Sequence, residues 1–171
     1  MNKTDIIERH IISVLVDNEP GVLARVIGLF SGRGYNIESL TVSETDESRS
    51  ISRISIVTSG TPMVIEQIKA QLKRLVPIHS VSDLTEMGAA IERELALVKI
   101  INSGDKRIEA LRIADTFRAR TLDSTLNSFV FEVSGHPSMV AVFVDLLRSL
   151  REIEGSRTGV SAISRGNQIH L

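Results

Sequence analysis

The sequence predicts an α+β chain made of two ferredoxin-like units, each ordered β-α-β-β-α-β. Three observations predict it. Apolar runs with a period of two alternate with runs at helical spacing in that order, and the order occurs twice. Pro62 and Pro137 stand at equivalent places, where the second helix of each unit opens. A polar, small-residue bridge, Thr85-Glu86-Met87-Gly88-Ala89-Ala90, separates the halves. The boundaries are 1–85 for the first domain, 86–94 for a linker and 95–171 for the second domain.

In the first unit, Ile11-Ile12-Ser13-Val14-Leu15-Val16 is apolar and β-branched, as a buried strand requires. Asp17 to Gly21 supplies turn residues that stop it. A helix then begins near Gly21 or Val22 and leaves through Gly32-Arg33-Gly34. Leu40 and Val42 alternate with Ser39, Thr41 and Ser43, and Ile54 and Ile56 with Ser52 and Thr58. These form a hairpin around Thr45-Asp46-Glu47-Ser48. Pro62 opens a helix with Ile65, Ile68, Leu72 and Leu75 inward and Glu66, Lys69 and Lys73 outward, Pro77 ends it, and a strand follows over 78–84.

The second unit is less sharply drawn. Leu95 to Asn102 reads as a strand, and Lys106 to Arg118 as a helix with Ile108, Leu111, Ala114 and Phe117 inward. A short strand at Arg120 to Leu122 is called for by the fold's order rather than by its own residues. Asn127 to Ser134 puts Phe129, Phe131 and Val133 on one face. The helix from Pro137 buries Val140, Phe143, Leu147 and Leu150, a glycine-interrupted strand spans 153–164, and 165–171 is a tail.

A chain of 171 residues with 42% hydrophobic and 24% charged residues has an ordinary globular composition. A net charge of −1 gives no pull toward nucleic acid or an acidic membrane. With no cysteine there is no disulfide, thiolate nucleophile or sulfur-ligated zinc. Met1 to His10 lacks the apolar core of a signal peptide, and no apolar run approaches the roughly 20 residues of a membrane span. The reading is cytoplasmic.

The turn Asp17-Asn18-Glu19-Pro20-Gly21-Val22-Leu23 carries the candidate chemistry. The first N–H groups of a helix lack intrahelical partners and sit at the positive end of its dipole, so a carboxylate over Gly21, Val22 and Leu23 is stabilised. Gly21 leaves room there, since it has no Cβ. The amides of Asn18 and Asn36 can accept from an ammonium or donate to a carboxylate, and Val22, Leu23 and Ile37 can line an apolar slot or serve as core. The arrangement fits a small amino acid with a short branched side chain. One methylene is worth only about 1–3 kcal/mol in such a slot, so valine, leucine and isoleucine are expected to cross-bind.

No catalytic or metal site is read. His10, His79, His136 and His170 are scattered, Gly32-Arg33-Gly34 lacks the rest of a phosphate loop, and Glu92-Arg93-Glu94 reads as the solvated opening of a strand. Arg118 and Arg120 read as solvated face.

The run from Asn18-Glu19-Pro20-Gly21-Val22-Leu23 through Arg25-Val26-Ile27-Gly28-Leu29-Phe30 and Arg33-Gly34-Tyr35-Asn36-Ile37-Glu38-Ser39-Leu40-Thr41-Val42 resembles the ACT domain of the small regulatory subunits of acetolactate synthase (acetohydroxyacid synthase). Ser52-Arg53-Ile54, Glu92 to Ile100 and Ser156-Arg157-Thr158-Gly159-Val160 extend the likeness over nearly the whole chain, while Val76-Pro77-Ile78 and His79 depart from it. The resemblance makes domain 1–85 an ACT domain whose pocket lies between two ACT domains of a homodimer. It implies valine as feedback effector and a catalytic large subunit as partner. Thiamine diphosphate, magnesium and FAD belong to that partner and none to this chain. Arg157 is a candidate contact with a partner subunit.

Three other functions compete. A freestanding amino-acid sensor would share the pocket but lack the large subunit. RNA binding shares the β-α-β-β-α-β order, but Phe129 and Phe131 alternate as core and the chain has no Trp and one Tyr. An independent enzyme lacks a nucleophile with an adjacent base.

Overall fold

The computed structural model describes residues 6–46, 48, 50–88, 90–101, 104–167 and 169; Glu47, Ala89, Asn102 and His170, used in the sequence reading, lie outside them. The chain divides into two compact units, Met1–Ile91 with Val160–Leu171, and Glu92–Gly159.

The first unit runs β1 (Glu8–Asp17), α1 (Val22–Arg33), β2 (Ser39–Asp46), β3 (Ile51–Gly60), α2 (Pro62–Leu72) and β4 (Ile78–Asp83). Its antiparallel sheet has the order β2-β3-β1-β4. Ile12, Val14 and Val16 of β1 form one core with Val22, Val26 and Phe30 of α1 and Ile65, Ile68 and Leu72 of α2. Ile11, on the opposite face, joins Val57, Leu84, Val160 and Ala162 in a second cluster. Coverage on both faces is why β1 is apolar without alternation.

The C-terminal segment corrects the expected boundaries. The sequence reading carries the second domain through 171, but from Val160 the chain belongs to the first unit. Val160 donates its N–H to Ser39 Oγ at 2.7 Å and accepts from Thr41 Oγ1 at 3.0 Å. A short strand β9 (Ser161–Ile163) follows. The expected 86–94 linker is shorter too, because the next strand already starts at Ile91.

The second unit repeats the order with β5 (Ile91–Ile101), α3 (Asp105–Thr116), β6 (Arg120–Ser124), β7 (Ser128–Gly135), α4 (Pro137–Leu150) and β8 (Ile153–Arg157). Its path is β6-β7-β5-β8, again antiparallel. Ala96, Val98 and Ile100 of β5 meet Phe129, Phe131 and Val133 of β7 beneath Val140, Phe143, Val144 and Leu147 of α4. With Phe129 3% and Phe131 0% exposed, no aromatic platform faces solvent on β7. This removes the feature on which RNA binding rested.

Two helix faces depart from expectation. On α3 the buried residues are Ala110 and Ala114, with Ile113 and Phe117 packed beside them, while Ile108 and Leu111 are exposed. Helical spacing puts Ala110, Ile113, Ala114 and Phe117 on one face, and Ile108 and Leu111 fall outside it. On α2, Lys69 is buried rather than outward, and the helix ends at Leu72, before Pro77. No helix among the described residues is long and apolar enough to cross a membrane.

Candidate effector site

The opening of α1 is built as the sequence predicts. Gly21 caps it at φ 87°, a left-handed conformation that an L side chain resists, and no side chain caps the helix. Arg25 N–H to Gly21 C=O, 3.1 Å, is the first helical bond, so the amides of Leu23 and Ala24 precede it. Val22 N–H turns back to the Glu19 carbonyl at 3.4 Å. The first turn carries no acidic residue to meet the positive end of its dipole. A Cβ on Gly21 would meet nothing within 4 Å, so the space above the turn is open.

Neighbouring contacts hold the turn. Asn18 N–H donates to Ser50 C=O at 2.6 Å and Asp17 N–H to Pro77 C=O at 3.1 Å. His79 Nε2 lies 2.5 Å from Asp17 Oδ1, and Arg25 Nη1 donates to Val76 C=O at 2.7 Å. The segment 76–79, where the likeness departs from its family, thus braces the turn from below.

The six candidate residues do not converge within one chain. Asn18 and Gly21 are exposed together in the turn, and Leu23 beside them is 37% exposed. The Val22 side chain is core, 4% exposed, so of this residue only the backbone reaches the turn. Asn36 and Ile37 lie past the other end of α1, where Gly34 at φ 70° ends the helix with bonds to Phe30 and Ser31 carbonyls. Ile37 packs partly against the core, and Asn36 C=O accepts from Thr58 Oγ1 at 2.6 Å. Thr58 pairs with His10, eight residues along β1 from Asn18, so the two groups are separated by about 25 Å of strand.

Three polar groupings were not legible in the sequence. Lys69 reaches Glu66 at 2.5 Å, both oxygens of Glu86 at 2.7 and 2.6 Å, and Asp83 at 3.7 Å, while Asp83 takes His10 Nδ1 at 2.8 Å. Burial disfavours the ammonium, but hydrogen bonds to Glu66 and Glu86 outweigh this and hold the Lys69 pKa above its usual value; the Lys69 hydrogen bond holds Glu66 below its own. His10, Asp83 and Glu86 bring ligand atoms within 4.8 Å of one another, and the two carboxylates among them face the Lys69 ammonium. Glu94, expected in solvent, is 5% exposed and takes Arg157 Nε and Nη2 at 2.8 and 2.6 Å. His136 Nδ1 lies 2.8 Å from Ser138 Oγ, but it also accepts the Ser138 N–H as the cap of α4, and both residues are exposed.

Comparison with known proteins assigns the family. Residues 12–80 match the family described as AHAS small subunit-like ACT domain, and residues 93–166 the family described as small subunit of acetolactate synthase. The chain belongs to the acetolactate synthase small-subunit family. Within that family it is 45% identical over 160 residues to a probable acetolactate synthase small subunit of Archaeoglobus fulgidus, covering 94% of this chain and 99% of the other. It is 46% identical over 162 residues to the isozyme 3 small subunit of Escherichia coli, covering 94% and 98%. The crystal structure of the small subunit from Thermotoga maritima superposes with a TM-score of 0.83 at 36% identity, over 94% of this chain and 99% of that one. The family thus supplies the ACT-type, ferredoxin-like fold read from the sequence.

Proposed function

We propose that the chain is a non-catalytic regulatory subunit that activates the large catalytic subunit of acetolactate synthase and confers feedback inhibition by valine. The observation that carries the reading is the opening of α1, which no side chain caps, beneath the open space at Gly21. Its amides take the carboxylate, Asn18 and Asn36 answer the polar groups, and Leu23 and Ile37 meet the branched side chain.

The pocket is shared by two copies. β2 is an edge strand that begins beside Asn36 and ends near Ser50 and Asn18, with Val42 exposed. Antiparallel pairing of β2 with β2 of a second copy lays the Asn36 end of one chain against the Gly21 turn of the other. Valine then stabilises one arrangement of the pair. A coupling of about 1–3 kcal/mol changes partner affinity roughly 5- to 150-fold, provided the two states bind valine unequally.

Thiamine diphosphate, magnesium and FAD are assigned to the large subunit. A freestanding sensor would use the same pocket; the small-subunit family match favours the partnered reading. The test is acetolactate formation by the matching large subunit with and without this chain, titrated with valine, leucine and isoleucine. Activation together with valine inhibition is expected. No change in activity, alongside retained valine binding, would make the chain a sensor.

A further inference from the structure

The connection between α2 and β4 is tied to the 17–23 turn on both flanks of that turn. Pro77 C=O accepts from the N–H of Asp17, where the turn begins, at 3.1 Å. Val76 C=O accepts from Nη1 of Arg25, two residues past its end, at 2.7 Å. His79 Nε2 holds the Asp17 carboxylate as well, and Arg25 donates its own N–H to Gly21 C=O. A shift of the α1 opening on effector binding therefore pulls on 76–77 through two direct hydrogen bonds.

The same connection presents an apolar side chain outward. Lys73, Arg74 and Leu75 donate their N–H groups to the Lys69, Gln71 and Leu72 carbonyls, and Ile78 to that of Leu75, all at 3.0 to 3.1 Å. Leu75 and Ile78 pack on the core, while Val76 between them is 76% exposed. Lys73 and Arg74 are exposed beside it, and 73–79 contains no carboxylate. A single exposed valine is ordinary on a protein surface. This one sits on a backbone already ordered by hydrogen bonds, next to two cations, so little ordering entropy is lost when a partner covers it.

β4, which follows directly, is the sheet edge opposite β2, so pairing of two copies through β2 leaves this connection uncovered. Resting on the regulatory reading, we propose that the 73–77 turn docks on the large catalytic subunit. Val76 enters an apolar pocket there whose rim carries carboxylates for Lys73 and Arg74, and Arg25 links that contact to the effector turn. Cations placed in advance opposite carboxylates speed the encounter and fix its register, while burial of Val76 favours the docked state.

The test measures association of the full-length chain with the matching large subunit by interferometry, and valine binding by calorimetry for the free chain and for the complex. Val76→Asp and Arg74→Glu should each weaken association about tenfold or more, by meeting the rim with like charge, and leave valine binding to the free chain unchanged. Arg25→Met should keep association within about threefold of wild type, yet shrink the difference in valine affinity between free chain and complex about threefold or more. Should Val76→Asp fail to fold, Arg74→Glu carries the test. Wild-type association that both charge variants leave undiminished would overturn this contact alone, whereas no association by the wild-type chain would overturn the regulatory reading with it. An unchanged valine difference in Arg25→Met would overturn the link to the effector turn. Sedimentation in which the charge variants lower self-association instead would overturn the docking and assign the turn to a second copy.

Discussion

Gly21 and Asn36 stand at opposite ends of α1, one capping its opening and the other just beyond the glycine that closes it. A twelve-residue helix is about 18 Å long, so no small ligand touches both in one chain.

Gly21→Asp should abolish valine inhibition while leaving activation of the large subunit largely intact. Its Cβ enters open space, so the cost to the fold is that of a left-handed L residue, about 1–2 kcal/mol. Inhibition titrations paired with thermal melts check this. Joint loss of inhibition and activation would mean that the turn holds the fold rather than the ligand.

The Lys69 network should set the acid and alkaline limits of first-unit stability. The Glu66 pKa is lowered in the folded chain, so its contribution is present above its usual 4.5 and is lost as pH falls through the lower folded value. The Lys69 pKa is raised, so its contribution is present below 10.5 and is lost as pH rises through the higher folded value. Denaturation midpoints of wild type and Lys69→Met across pH should therefore differ most between these limits and converge outside them. Near neutrality the variant should lose about 1.5 kcal/mol, since Glu86 is half exposed and Asp83 keeps His10 and the Thr85 N–H.

Much of this was legible beforehand, and the reasons for the exceptions are physical. The β1–α1 turn announces itself because its signals are local: an apolar strand, turn residues, a glycine and an amphipathic helix within a few positions. The α3 face is hard to read because Ala110 and Ala114 carry little apolar signal beside Ile108 and Leu111. Glu94 reads as solvated because its partner, Arg157, is 63 residues away, and Lys69 because Glu86 is 17 residues away, in the turn after β4. β6 is exposed at every residue, so only pairing with β7 identifies it.

Truncation after Ile91 should destabilise the first unit even though its four strands and two helices remain. Val160 and Ala162, 4% and 3% exposed, cover Ile11, Val57 and Leu84, and their loss exposes that cluster. At about 1.5–3 kcal/mol for each large apolar side chain uncovered, a drop of several kcal/mol is expected in chemical denaturation. Appending residues 160–171 through a flexible linker should restore much of it. Equal stability of the two forms would show that the returning segment contributes nothing.

Arg157→Met should cost the second unit about 3 kcal/mol, since it leaves the Glu94 carboxylate buried and unpaired. Adding Glu94→Gln should recover part of that loss, because a neutral amide is cheaper to bury than an unpaired charge. A double-mutant cycle by urea denaturation measures the coupling, and additive losses would show that the pair is not coupled.

The most direct measurement is calorimetric valine binding to a purified heterodimer of one Gly21→Asp chain and one Asn36→Ala chain. Neither homodimer variant should bind. If the pocket joins the turn of one copy to Asn36 of the other, the heterodimer retains one intact pocket and takes up a single valine at wild-type affinity. A heterodimer as inert as its parents would contradict a pocket shared between chains.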